Sequence, residues 1–153
     1  MNFTISTIAS SLAAYLGPLF PGVTFYENPN QQGTQVPCMF LQQRYSYIKV
    51  KTAGRFLRQI GLDLTYLVDY NLPNMQELYQ EAAEQLDMAM ETFPYSDGSD
   101  GGTALLRTYE REWRIDLDAM HYKFELQVWV NVPEKITPMD SMGYQEAVTD
   151  GKN

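Results

Sequence analysis

His121 is the single histidine and follows Asp118 by three residues, a spacing at which a carboxylate can orient an imidazole as a general base. The same pair also suits a loop in which the imidazole bonds its own turn. Neither a second histidine nor an evident nucleophile stands ready to work with it. Cys38, the single cysteine, would need an exposed, electropositive setting to react. After Pro37, at the start of an apolar run, it reads instead as a small apolar filler. One cysteine leaves no internal disulfide and suits a reducing compartment. Asp97-Gly98-Ser99-Asp100-Gly101-Gly102 hints at a calcium loop, but position 5 counted from Asp97 is Gly101 and position 12 is Thr108, where a bidentate glutamate belongs. It reads as a solvated linker. Asp116 and Asp118 form a weak metal pair at best, with Lys123 as a ready partner. No glycine-rich phosphate loop or zinc spacing occurs. No catalytic residue, metal or cofactor is expected.

The more informative chemistry is electrostatic. The formal charge is −8, which argues against ordinary nucleic-acid binding, where Lys and Arg neutralise phosphates. Yet between Glu27 and Asp63 there is no acidic residue, and Arg44, Lys49, Lys51, Arg55 and Arg58 all fall there. A small basic island on an acidic body is a candidate docking surface. Val50, Phe56 and Leu57 interleave with it. Cations that merely keep a long hairpin soluble and block edge pairing give the same pattern, so composition leaves the two readings level.

The elements that must carry this island follow from periodicity. Phe3, Ile5, Ile8, Leu12, Tyr15 and Leu16 recur at three- and four-residue intervals, predicting a helix that Gly17, as a left-handed cap, and Pro18 would end. After a Pro21-Gly22 turn, Val23 to Tyr26 reads as a short strand, and Asn28 to Gly33 as a polar connection. Pro37 to Val50 reads as a long strand, Thr52-Ala53-Gly54 as its turn, and the return strand puts Ile60, Leu62, Leu64, Tyr66 and Val68 on one face. The island thus sits at the tip of a hairpin. A second helix is expected from Asn74, capped reciprocally with Glu77, burying Met75, Leu78, Tyr79, Ala82, Leu86, Met90 and Phe93 before Pro94 ends it. Ser96 to Thr103 is read as a flexible loop.

A second hairpin over Leu105 to Val132 closes the chain. With Asp118 to His121 as a four-residue loop, Leu117 faces Tyr122, Ile115 faces Phe124 and Trp113 faces Leu126, while Asp116 pairs with Lys123 and Arg114 with Glu125. Trp129 then lies on the polar face, where an exposed tryptophan suits a subunit interface. The expected fold is a two-layer α+β domain in the order α-β-β-β-α-β-β, an antiparallel sheet with two helices on one face. Residues 1–132 are read as a single domain and 133–153 as a mobile tail. Met1 to Leu16 lacks the basic start of a signal peptide, and no apolar run approaches the ~20 residues of a membrane span.

In this order of elements the chain resembles the tail terminator, or tail completion, proteins of long-tailed bacteriophages, in particular a small family from phages and prophages of Gram-positive bacteria. The helix ending at Gly17-Pro18, the strand Val23 to Tyr26, the hairpin across Cys38 to Asp69, the acidic helix Asn74 to Phe93 and the turn Asp118-Ala119-Met120-His121-Tyr122 carry the likeness over about residues 3 to 132. The resemblance implies a structural virion protein without catalysis. Its copies, usually six, form a ring that caps the head-proximal end of the tail tube and joins it to the neck. It also implies that the long hairpin reaches the tube, placing Lys49, Lys51, Arg55, Phe56 and Arg58 at a contact with the tube or a neighbouring copy. DNA would pass through an acidic lumen without sequence-specific binding. A neck or head-completion adaptor has similar size and symmetry, and the co-purifying partner would separate the two. A small-ligand-binding or enzymatic α+β domain would instead show a deep pocket around His121 and Asp118.

Overall fold

Alternating apolar residues in two long hairpins build the sheet, and the two amphipathic helices seal one side of it. The computed structural model describes residues 2–27, 35–99 and 102–133. Its elements are α1 (Ile5–Leu16), β1 (Thr24–Tyr26), β2 (Cys38–Thr52), β3 (Arg55–Leu67), α2 (Met75–Ala89), β4 (Thr92–Tyr95), β5 (Ala104–Ile115) and β6 (Met120–Asn131). The strands form a six-stranded sheet in the order β1-β2-β3-β6-β5-β4. The expected two-layer α+β order holds, with one further short strand, β4, placed directly after α2. Every pair is antiparallel except β1–β2, which is parallel. The connection read at Asn28 to Gly33 and the tail from Glu134 onward lie outside the described residues.

The core lies between the sheet and the helices. Ile60, Leu62 and Leu64 of β3 stand opposite Leu126, Phe124 and Tyr122 of β6, and all six are buried against Ile8, Leu12 and Leu16 of α1 and Tyr79, Ala83 and Leu86 of α2. Fully burying side chains of this size contributes roughly 1.5–3 kcal/mol each. Two polar links fix α2 at a set height. The Tyr122 hydroxyl donates to Asp87 Oδ1 at 2.7 Å, and the Trp113 indole donates to Asp87 Oδ2 at 3.1 Å. Trp113, Phe124 and Leu126 therefore face the helices, as the alternation requires.

Several local expectations change. Helix α1 begins with a capping box between Thr4 and Thr7, and Ile5 stays 37% exposed rather than joining the buried stripe. Gly17 does not take the left-handed cap; its φ is −50° and the chain continues into a 3-10 turn over Gly17–Leu19, which Pro18 tolerates at its start. At α2, Asn74 is the N-cap residue but its side chain caps nothing, so the reciprocal bond with Glu77 does not form. Phe93 is buried, but from β4 rather than from the helix.

The largest correction is the register of the last hairpin. Trp113 faces Tyr122, Ile115 faces Met120, Glu112 faces Lys123 and Arg114 faces His121. The displacement is even, so the faces predicted for Trp113 and Ile115 survive while every pairing changes. The four-residue loop lies two residues earlier than expected, over Asp116 to Ala119, and is closed by the Asp116 amide donating to the Ala119 carbonyl at 2.8 Å. Met120 takes the core position next to the turn, and Leu117 is left 91% exposed. Asp116 pairs with Arg114 instead of Lys123. Beyond it, a bulge between Tyr109 and Glu112, with Glu110 at φ 51°, inverts the alternation, so Leu106 and Thr108 face inward and Leu105 faces out.

Candidate interaction surface

The β2–β3 hairpin is longer than the helices that cover the sheet. Strand β2 is buried from Cys38 to Leu41 and largely exposed from Gln42 to Thr52, so its last residues project beyond the core. Gly54, at φ 83°, supplies the left-handed residue of the tip. The Val132 amide donates to the Gly54 carbonyl at 2.9 Å, tying the end of β6 to that tip.

The structure places Lys49, Lys51, Arg55 and Arg58 along this end in different settings, while Arg44 lies further down β2 at the bulge between Gln43 and Tyr45, 5.2 Å from the Tyr45 ring centre. Lys49 falls at the irregularity between Ile48 and Val50, without a register partner. Lys51 faces Phe56, which faces Val130, on the helix side of the sheet. Arg55 lies on the opposite face, its guanidinium 4.2 Å from the centre of the Trp129 ring. A cation over an indole is worth about 0.5–1 kcal/mol at an exposed site and holds both groups in place. Trp129 is on the polar face, as its alternation implied, and is 40% exposed. Arg58 differs from the others because its donors are engaged within the chain. Nε donates to Ser46 Oγ at 2.7 Å, Nη1 to the Phe3 carbonyl at 2.7 Å, and Nη2 reaches Gln43 Oε1 at 3.4 Å. It clamps the base of the hairpin to the N-terminal segment.

Further down the same face, Tyr45 lies flat over Gly61, and a Cβ at that position would stand 2.2 Å from its ring. The Tyr45 hydroxyl donates to Glu125, and that bond, with burial adding, holds the phenol above its ordinary range. Tyr47 stacks on Tyr45 at 5.9 Å. A glycine interrupting a strong strand pattern was the available signal for this close approach.

His121 does not pair with Asp118. It sits on β6, with Nδ1 2.9 Å from Asp63 Oδ2 and Nε2 3.4 Å from Asp116 Oδ2, while Thr65 donates to Asp63 Oδ1 at 3.1 Å. The Asp118 carbonyl accepts instead from Tyr79. Asp63 went unrecognised because its partner comes from the β3–β6 pairing, and no local spacing encodes that pairing. A cavity of about 300 Å³ opens between α1 and the β1–β2 edge, lined by Leu12, Phe25 and Phe40; a second, of about 430 Å³, lies beside Tyr15 and Tyr95. Neither is lined by His121 or Asp118. Cys38 is fully buried, and burial raises its thiol pKa, as an unreactive filler requires.

The hairpin end beyond the helical layer and the outer face around Trp129 are thus exposed surfaces of the fold. No curated protein matches the chain. The sequence model of a family described as phage tail terminator protein matches residues 6–138, most of the chain and every element of the sheet. The chain belongs to the phage tail terminator protein family, and is a structural component of a bacteriophage tail.

Proposed function

We propose that this tail terminator forms a ring, of six copies, that closes the head-proximal end of the tail tube, stops its growth and joins it to the neck. The setting is a long-tailed phage or prophage of a Gram-positive host. The observation that carries this reading is the end of the hairpin, which has no acidic residue before Asp63, runs past the helical layer and ends in Lys49, Lys51, Arg55 and Phe56. Cations at the end of a rigid arm steer docking onto an acidic surface and fix its orientation. Arg58 supports that arm from its base through the Phe3 carbonyl. The remaining acidic body, net −8 for the chain, suits a lumen through which DNA slides without adhering.

The test is co-sedimentation with assembled tail-tube protein. Lys49→Glu combined with Lys51→Glu is expected to abolish sedimentation with tubes while leaving the circular dichroism spectrum and melting transition unchanged. Binding equal to the parent protein would overturn the hairpin's role. Retention by a portal or adaptor complex, with none by tubes, would move the protein to the neck.

A further inference from the structure

The outer face of the hairpin carries a patch that its own chain leaves uncovered. Tyr47, Val50 and Trp129 are 47%, 43% and 40% exposed. Leu57 lies between Val50 and Trp129 in the register, and Arg55 covers the indole. An apolar and aromatic patch held by a rigid sheet and edged by a cation marks a protein interface. The complementary chemistry lies on the other layer of the molecule. No Lys or Arg occurs between Arg58 and Arg107. Within that span α2 displays Glu77, Glu81 and Glu84 on one stripe, all exposed. Met88, 90% exposed, continues the stripe by one further turn. The neighbouring acids Asp87 and Glu91 are already engaged, by Tyr122 and Trp113 and by Arg107.

Patch and stripe lie on opposite layers of one domain, so they meet only between copies. We infer that the outer hairpin face of one copy seats on the α2 stripe of the next. Arg55 lies toward Glu81 and Glu84, and Met88 packs against Val50 and Tyr47. Charge selects this occupant: the patch presents Arg55, the nearby Glu125 is already held by Tyr45 and Gln59, and the stripe presents three carboxylates and no cation. Two different surfaces in contact make a head-to-tail interface, which closes into a ring when the rotation permits. This rests on the ring reading above and divides the hairpin's duties. The face with Lys51 and Phe56 is left for the tube, and the face with Arg55 and Trp129 goes to the neighbouring copy.

The test places Val50→Cys and Met88→Cys in one chain, whose native Cys38 is fully buried, and oxidises it both free at high concentration and on tubes. A ladder of covalent oligomers is expected, with neither single variant giving more than background. Arg55→Glu alone, or Glu81→Arg with Glu84→Arg, should weaken self-association about tenfold, and the combination should restore most of the loss. Absence of a ladder in both settings, dimers from Val50→Cys alone, or no restoration by the charge swap would overturn the inference. Failure of the parent protein to bind tubes would overturn the tube reading instead, with the free-protein arm still deciding this one.

Discussion

Strand β3 passes through two environments, and the contrast between its halves separates stability from assembly. From Gln59 to Tyr66 it is buried on both faces: Ile60, Leu62 and Leu64 by the helices, and Gln59, Asp63 and Thr65 beneath the polar network of the outer face. From Arg55 to Arg58 it is half-exposed, and its neighbours Ile48 and Val50 are 54% and 43% exposed. The ladder between β3 and β6 is continuous through both halves, so the hairpin end is held by the sheet without being part of the core. Binding surface presented on a rigid element loses little conformational entropy on docking. The inner half supplies the free energy that holds the outer half in place.

If that division holds, substitutions in the two halves should behave oppositely. Phe124→Ala removes a fully buried ring opposite Leu62 and should cost about 3–5 kcal/mol in urea denaturation. Tyr79→Phe comes next. Its hydroxyl accepts from the Val68 amide at 3.1 Å and donates to the Asp118 carbonyl at 3.2 Å, so its loss should cost about 1–3 kcal/mol by the same measurement. Gly61→Ala should cost about 1 kcal/mol, because Tyr45 has to swing away and gives up its bond to Glu125. Val50→Ala and Lys51→Ala should leave stability within about 0.5 kcal/mol while weakening tube or self-association. A large loss of stability from either would erase the division.

Alkaline pH sharpens the same contrast. Burial, together with the Asp87 carboxylate, pushes the Tyr122 phenol well above its ordinary value, and burial raises Tyr66, Tyr79 and Tyr95. A raised folded-state pKa contributes stability that is complete below the unfolded value of about 10 and is lost as pH climbs toward the folded value. The urea midpoint should therefore fall above about pH 10, and Tyr122→Phe should flatten that fall. A flat midpoint through this range would mean that the core phenols ionise freely.

The balance between what was readable and what was not follows the range of each interaction. The alternation of Ile60, Leu62 and Leu64, and of Tyr122, Phe124 and Leu126, identified the inner face. The acid-free span located the basic hairpin tip, and both survive in the structure. The register of the last hairpin was misread because Leu117 and Met120 both satisfy the apolar pattern. Only the bond from the Asp116 amide to Ala119 and the burial of Met120 select between them. The bulge at Glu110 and strand β4 left no periodic trace.

The sequence by itself determined the element order apart from β4, the sidedness of β3, of β6 and of the end of β5 next to the turn, and the charge asymmetry, since these depend on residue spacing along a few turns or pleats of the chain. The tertiary structure decided which carboxylates hold His121, that Arg58 is committed to the Phe3 carbonyl, and that Arg55 and Trp129 share a face with Tyr45 and Tyr47. Those facts rest on strands brought together from distant positions, where pairing energies of a few tenths to one kcal/mol choose among registers that the local pattern leaves equivalent.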